Sequence, residues 1–239
     1  MILTYHRPTD LPSAQVALQQ ADTLPLTLGP RVPLDLFETS RTALDLSALN
    51  LNYIRAEVDG AHIGALTPLQ TVAESNAVNV LVRNAIQITA HLGLRHLAVL
   101  GASLAAPDIA VALLALNAQV ISGEARRATA LADYQPSAKD LLIEILIPPF
   151  NGKIGAARIA RTPRDEAILC AAATITDSLT CIAIAGASPL PLVASGSSAQ
   201  DVIAALTAQA NPVGDYRASA EYRKAMVAVL AKRAVNSNQ

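Results

Sequence analysis

The chain has 239 residues, 52% hydrophobic, 15% charged and 3% aromatic, with a formal net charge of −1 and no tryptophan. It carries no lysine- or arginine-rich run and few aromatics for base stacking, which argues against a nucleic-acid binder. Its apolar runs are too short and too interrupted to span a bilayer, so no membrane span is expected.

The opening residues lack the charged-then-apolar order of a signal peptide, and a cytoplasmic location is expected. Residues 12–20 read as a short helix with Val16 and Leu18 among its apolar contacts. Residues 24–28 read as a strand, and 43–46 as a second apolar run leading into Asp45-Leu46-Ser47. These form a first segment, 1–52.

In a second segment, 53–135, Asp59-Gly60 between apolar stretches has the chemistry of a tight hairpin, followed by a strand over 61–66. Thr67-Pro68 reads as an N-cap and first helical position. Leu69, Val72 and Ala73 then give the i, i+3, i+4 spacing of a helix face. Helices are expected over 77–91 and 110–116, and a strand over 118–122. The polar stretch 123–139 connects to a third segment, 136–239.

In that segment 141–147 reads as a buried strand stopped by Pro148-Pro149. Residues 168–176 and 181–187 read as two more strands. Thr162-Pro163-Arg164-Asp165 also has the form of a helix start, but the turn signal Thr176-Asp177-Ser178 favours a hairpin. Helices close the chain over 198–209 and 219–234. The last places Tyr222, Met226, Val229 and Leu230 on one face, with cations in its final turn where the helix dipole favours them.

Few residues suggest chemistry by spacing alone. Cys170 and Cys181 have no zinc spacing; a hairpin would set them opposite each other, as a redox pair or as two small buried hydrophobes, and a reducing cytosol favours the second. His6, His62, His91 and His96 have no ligand spacing. Ser188, Ser195, Ser197 and Ser198 lack a nucleophile elbow.

Several motifs, in order and over almost the whole chain, carry a family resemblance. Tyr5-His6-Arg7-Pro8 opens the chain, and Asp45-Leu46-Ser47 follows the first loop. Ile63-Gly64-Ala65-Leu66-Thr67 precedes Ala73-Glu74-Ser75. Leu113-Leu114-Ala115-Leu116, Glu144-Ile145 before Ile147-Pro148, and Ser219-Ala220-Glu221-Tyr222-Arg223 complete the set. The chain resembles the flavin subunits of molybdenum hydroxylases, the group that includes the carbon monoxide dehydrogenase medium subunit and the flavin part of xanthine dehydrogenase.

The resemblance implies an α+β fold: a vanillyl-alcohol-oxidase-like, PCMH-type FAD-binding domain in two lobes (1–52 and 53–135), then a C-terminal α+β domain (136–239). It implies flavin adenine dinucleotide (FAD) as cofactor. It implies electron transfer beside an iron–sulfur subunit and a molybdenum-cofactor subunit, with no catalytic acid or base and no metal of its own. The family rests the FAD diphosphate on two glycine loops similar to A-G-G-T-[DN] and A-T-I-G-G-N. Glycine suits them because a backbone approaches phosphate closely where no Cβ intervenes.

Here Gly29, Arg31, Leu100, Gly101, Ala102, Ser103 and Asp108 fall on the family's cofactor-binding positions. Pro30 stands for the second glycine of the first loop and removes an amide hydrogen. Val99 and Ala102 stand for threonine and glycine in the second loop, which is also shorter before Asp108. Arg31 could pair with phosphate. A second expectation follows from these departures: a subunit that keeps the fold, has lost FAD, and serves a structural or assembly role in the same complex.

Overall fold

The computed structural model describes residues 2–27, 29, 42–123, 125–135 and 139–237. The described residues form three sheets, each with its own helical cover.

The first sheet is small and parallel. β1 (Thr4–His6) and β2 (Thr23–Pro25) flank β3 (Thr42–Leu44). Helix α1 (Leu11–Gln19) begins where the Asp10 carboxylate accepts the Ser13 amide at 2.8 Å, satisfying one of the helix's free donors. It buries Ala14 and Leu18 against Leu44, Leu46 and Leu51.

The second sheet has five antiparallel strands in the order β4 (Ile54–Glu57), β5 (Gly60–Gly64), β8 (Leu142–Ile147), β6 (Gln119–Ser122), β7 (Arg127–Ala130). The strand over 142–147, which sequence spacing gives to the third segment, thus pairs inside the second sheet. The β4–β5 hairpin is present, but its turn residues are Val58 and Asp59, with Gly60 already paired to Glu57. Gly60 serves the approach of the next strand: at φ +142° a Cβ there would overlap the Ile147 carbonyl oxygen.

Helices α2 (Leu69–Glu74), α3 (Val80–Thr89), α4 (Leu92–Leu97) and α5 (Pro107–Ala115) accompany this sheet. α5 is apolar all round and buried from Asp108 to Ala115, since it packs against α3 on one side and the third sheet on the other. The expected cap at Thr67 does not form. Pro68 occupies the N-cap position of α2, and the Thr67 hydroxyl donates to the Tyr53 carbonyl at 3.0 Å. A long-range partner has won over the local one.

The third sheet is antiparallel, in the order β12 (Leu192–Gly196), β11 (Thr180–Ala185), β10 (Leu169–Ile175), β9 (Lys153–Ile159). Alternation in β10 and β11 sends Cys170, Ala172, Ala183 and Ala185 toward α5, and Leu169, Ala171, Ile182 and Ile184 toward α6 (Ala199–Gln209) and α7 (Ala220–Asn236). The small side chains on the first face let α5 approach closely. Ser198 and Ser219 cap α6 and α7. The hairpin forms but does not oppose the two cysteines, and the preferred reading of both as small buried hydrophobes holds. The register sets Cys170 opposite Ala185 and Cys181 opposite Thr174, and both are free and buried.

Candidate functional site

The second glycine loop sits where α4 hands over to α5. Val99 forms an isolated antiparallel bridge with Pro68, so the chain enters the loop as a short extended segment. A single 3₁₀ turn over Gly101–Ser103 follows.

The amides of this turn are already engaged. Leu100 N–H donates to the Thr67 carbonyl at 3.0 Å, Gly101 N–H to Ala65 at 2.9 Å, and Ser103 N–H to Leu100 at 2.9 Å. Leu100 and Ser103 are fully buried, and the Ser103 hydroxyl donates to the Val99 carbonyl at 2.7 Å. Among the described residues, the half-buried Ala102 is the position in this turn whose amide has no backbone partner.

The first loop meets the second at this point. Gly29 is buried, and a Cβ on it would overlap the Ala102 carbonyl oxygen and crowd the Ala102 methyl. Only glycine lets the two backbones pass this closely. Residues 29 and 102 are thus brought together across more than seventy positions of sequence. Arg31, which sequence reasoning also places in the cofactor site, lies outside the described residues.

Asp108 occupies a different setting. It lies in the first turn of α5, but its carboxylate does not cap the helix. It accepts from Arg158 Nε at 3.2 Å, while the same guanidinium donates to the Pro163 and Asp165 carbonyls at 3.0 and 2.7 Å. Burial pushes the Asp108 carboxyl above the usual carboxylate range, and Arg158 offsets only part of that. An apolar cavity of about 200 Å³ opens beside the pair, lined by Leu81, Ala85, Ile88, Val111 and Ile154. That is below the roughly 300–1,000 Å³ of ordinary ligand pockets.

A charged knot that sequence spacing did not reveal lies on the second sheet. Arg55 pairs with His62 across β4 and β5, and the alternation of β8 turns Glu144 to the same face. Glu144 is buried at 1% exposure. It accepts from Tyr53 Oη at 2.6 Å and Arg55 Nη2 at 3.0 Å, and meets His62 Nδ1 at 2.7 Å. His62 Nε2 lies 2.9 Å from Asp59 Oδ1. Carboxylates only accept, so the doubly protonated ring satisfies both contacts.

Burial pushes Glu144 up, but Tyr53, His62 and Arg55 together outweigh it and hold the carboxyl below its ordinary range. Burial likewise pushes His62 down, and Asp59 and Glu144 outweigh it and raise the imidazole. The one signal of this knot in the sequence is Glu144 in its Glu-Ile-x-Ile-Pro setting, a lone acid inside a buried strand.

Comparison with known proteins bears on the whole chain. A family described as "FAD binding domain in molybdopterin dehydrogenase" matches residues 2–150. The chain is 26% identical over 226 residues to the glyceraldehyde dehydrogenase medium chain of Sulfolobus acidocaldarius, covering 80% of each. Its fold is similar to a chain of carbon monoxide dehydrogenase from Hydrogenophaga pseudoflava (TM-score 0.84, 21% identity) and of reconstituted CO dehydrogenase from Oligotropha carboxidovorans (0.82, 23%). It is also similar to a chain of quinoline 2-oxidoreductase from Pseudomonas putida 86 (0.83, 17%). In each case 99% of this chain and 97% of the other are covered.

Proposed function

This chain belongs to the family of FAD-binding domains of molybdopterin dehydrogenases, and from that premise we propose that it works as the FAD-binding electron-transfer subunit of a molybdenum hydroxylase complex. The observation that carries the reading is the seam between Gly29 and Ala102. The two segments that the family uses to hold a dinucleotide diphosphate are distant in sequence and meet in space. The fold likeness to chains of two carbon monoxide dehydrogenases covers 99% of this chain and so extends past residue 150.

The described residues fit FAD in placement. Gly29 presents bare backbone to the second loop, and among the described residues the Ala102 amide has no backbone acceptor. In this reading Ala102 N–H donates to the diphosphate, and the Arg31 guanidinium offers it a counter-charge. Leu100, Gly101 and Ser103 act through their internal bonds, fixing the turn that aims the Ala102 amide. Asp108, held by Arg158, anchors the start of α5 behind that turn. FAD, when bound, supplies the redox chemistry, and the protein supplies binding and orientation. In this reading no side chain need act as a catalytic acid or base.

Partners in this reading are a subunit carrying iron–sulfur clusters and a subunit carrying the molybdenum cofactor, consistent with the medium-chain name of the Sulfolobus relative. Among the described residues no helix is long and apolar enough to cross a membrane, and a cytoplasmic location fits. Equilibrium dialysis of the full chain against excess FAD tests the proposal. Uptake approaching one flavin per chain supports it, and no uptake at saturation contradicts it.

A further inference from the structure

The β4–β5 hairpin carries chemistry that the flavin reading does not use. We propose that it holds a divalent cation of the zinc type, ligated by His62 Nε2 and by the carboxylates of Asp59 and Glu57. The spacing of these residues names no metal motif, and the turn at Val58-Asp59 is what gathers them. Arg55 pairs with His62 and Glu57 with Gly60, so alternation puts Glu57 and His62 on one face of the hairpin. Gly60, opposite Glu57, has no side chain to fill the space between them. One ligand atom from each of Glu57, Asp59 and His62 lies within 4.8 Å of the other two.

A second observation lies outside this group. The imidazole is nine-tenths buried, and its Nδ1 sits 2.7 Å from Glu144, the acid buried at 1% exposure on β8. That contact fixes the ring and aims Nε2 outward at the two carboxylates. A histidine that ligates a metal through one nitrogen commonly donates its other N–H to a carboxylate, which sets the tautomer and raises the ring's basicity. Here Nδ1–H stays on Glu144, and the cation takes the place of the Nε2 proton.

The distances suit a small cation. Zinc bonds of about 2.0–2.2 Å set tetrahedral ligand atoms roughly 3.3–3.6 Å apart. His62 Nε2 lies 2.9 Å from Asp59 Oδ1 and 3.9 Å from Glu57 Oε2, which brackets that range. Asp59 and Glu57 are exposed, so they can adjust, and solvent can supply a fourth ligand. One nitrogen with two carboxylate oxygens favours zinc over magnesium, which prefers six oxygens around it. Two carboxylates also match the charge of a divalent ion. The nearby cation, Arg55, donates to Glu144 and lies 3.6 Å from the other oxygen of Glu57, Oε1. Glu57 Oε2 is left on the His62 side.

The test uses the full chain, stripped with a chelator, and two variants, Asp59→Asn and Glu57→Gln. Both substitutions are at exposed positions, and each protein is checked for wild-type circular dichroism. Uptake of zinc chloride is measured by isothermal titration calorimetry, with magnesium chloride as the control. The expected result is one saturable zinc site in the wild type, magnesium bound far more weakly, and zinc affinity reduced about tenfold or more in each variant. The proposal is overturned if the wild type takes up no zinc saturably, if magnesium binds as tightly as zinc, or if either folded variant binds zinc as tightly as the wild type. None of these results bears on flavin binding, which is tested separately.

Discussion

Among the described residues two carboxylates are buried, Glu144 and Asp108, and the fold treats them in opposite ways. Glu144 has a phenol, an imidazole and a guanidinium within hydrogen-bond reach, and its carboxyl is held below the ordinary range. Asp108 has one guanidinium at 3.2 Å, and its carboxyl is raised. A buried charge is tolerated when its lone pairs are filled, and becomes a liability when they are not. Glu144 ties β4, β5 and β8 together by side chains as well as by backbone. Asp108 sits beside a cavity at the edge of the FAD-binding half and is poorly compensated.

The strongest test of that contrast is Glu144→Ala. It strands Arg55, His62 and Tyr53 around an empty position, and urea denaturation should show a loss of about 3–5 kcal/mol. A loss under about 1 kcal/mol would mean that the knot is ornamental. Arg158→Ala comes next. It leaves Asp108 buried and unpaired, at a cost of about 2–3 kcal/mol, below the full penalty because Asp108 can take up a proton. Adding Asp108→Asn to Arg158→Ala should restore most of that loss, and a double-mutant cycle measures the coupling.

The two acids should also leave opposite marks on pH dependence. Glu144, with a lowered folded pKa, contributes stability that is present above its ordinary value of 4.5 and lost as pH falls. Glu144→Gln should therefore differ most from the wild type near neutrality and converge with it in acid. Asp108, with a raised folded pKa, is favourable below its ordinary value of 3.8, and that contribution is lost as pH rises through the folded value. Asp108→Asn, the smallest effect, should change stability by less than about 1 kcal/mol near neutrality, with any gain disappearing in acid. A Glu144→Gln profile parallel to the wild type at every pH would contradict the assignment.

The sequence made the family legible because its motifs are local packing solutions. Ile63-Gly64-Ala65-Leu66-Thr67 is a buried strand running into a helix start, and Ser219 through Arg223 is a capped helix. What stayed hidden depended on partners far along the chain. Nothing near Thr67 says that its carbonyl takes the Leu100 amide, or that its hydroxyl turns to Tyr53 and abandons the helix cap. Nothing near His62 points to Glu144, which lies across a β-strand pairing in another part of the sequence.

The hairpin containing Cys170 and Cys181 was readable from its turn, but its register was not. The turn length decides which residues face each other, and here it separates the two thiols. Of the candidate cofactor residues, Gly29 and Ala102 meet in space, Leu100, Gly101 and Ser103 support the turn from inside, and Asp108 answers to Arg158.

The central claim is that the seam between residues 29 and 102 is where this chain receives a flavin dinucleotide. A crystal structure of the full chain grown in saturating FAD tests it most directly. The account predicts density for the diphosphate at that seam, with a phosphate oxygen accepting from the Ala102 amide. Clear density for the dinucleotide at another place on the molecule, or an empty seam at saturating FAD, would contradict it.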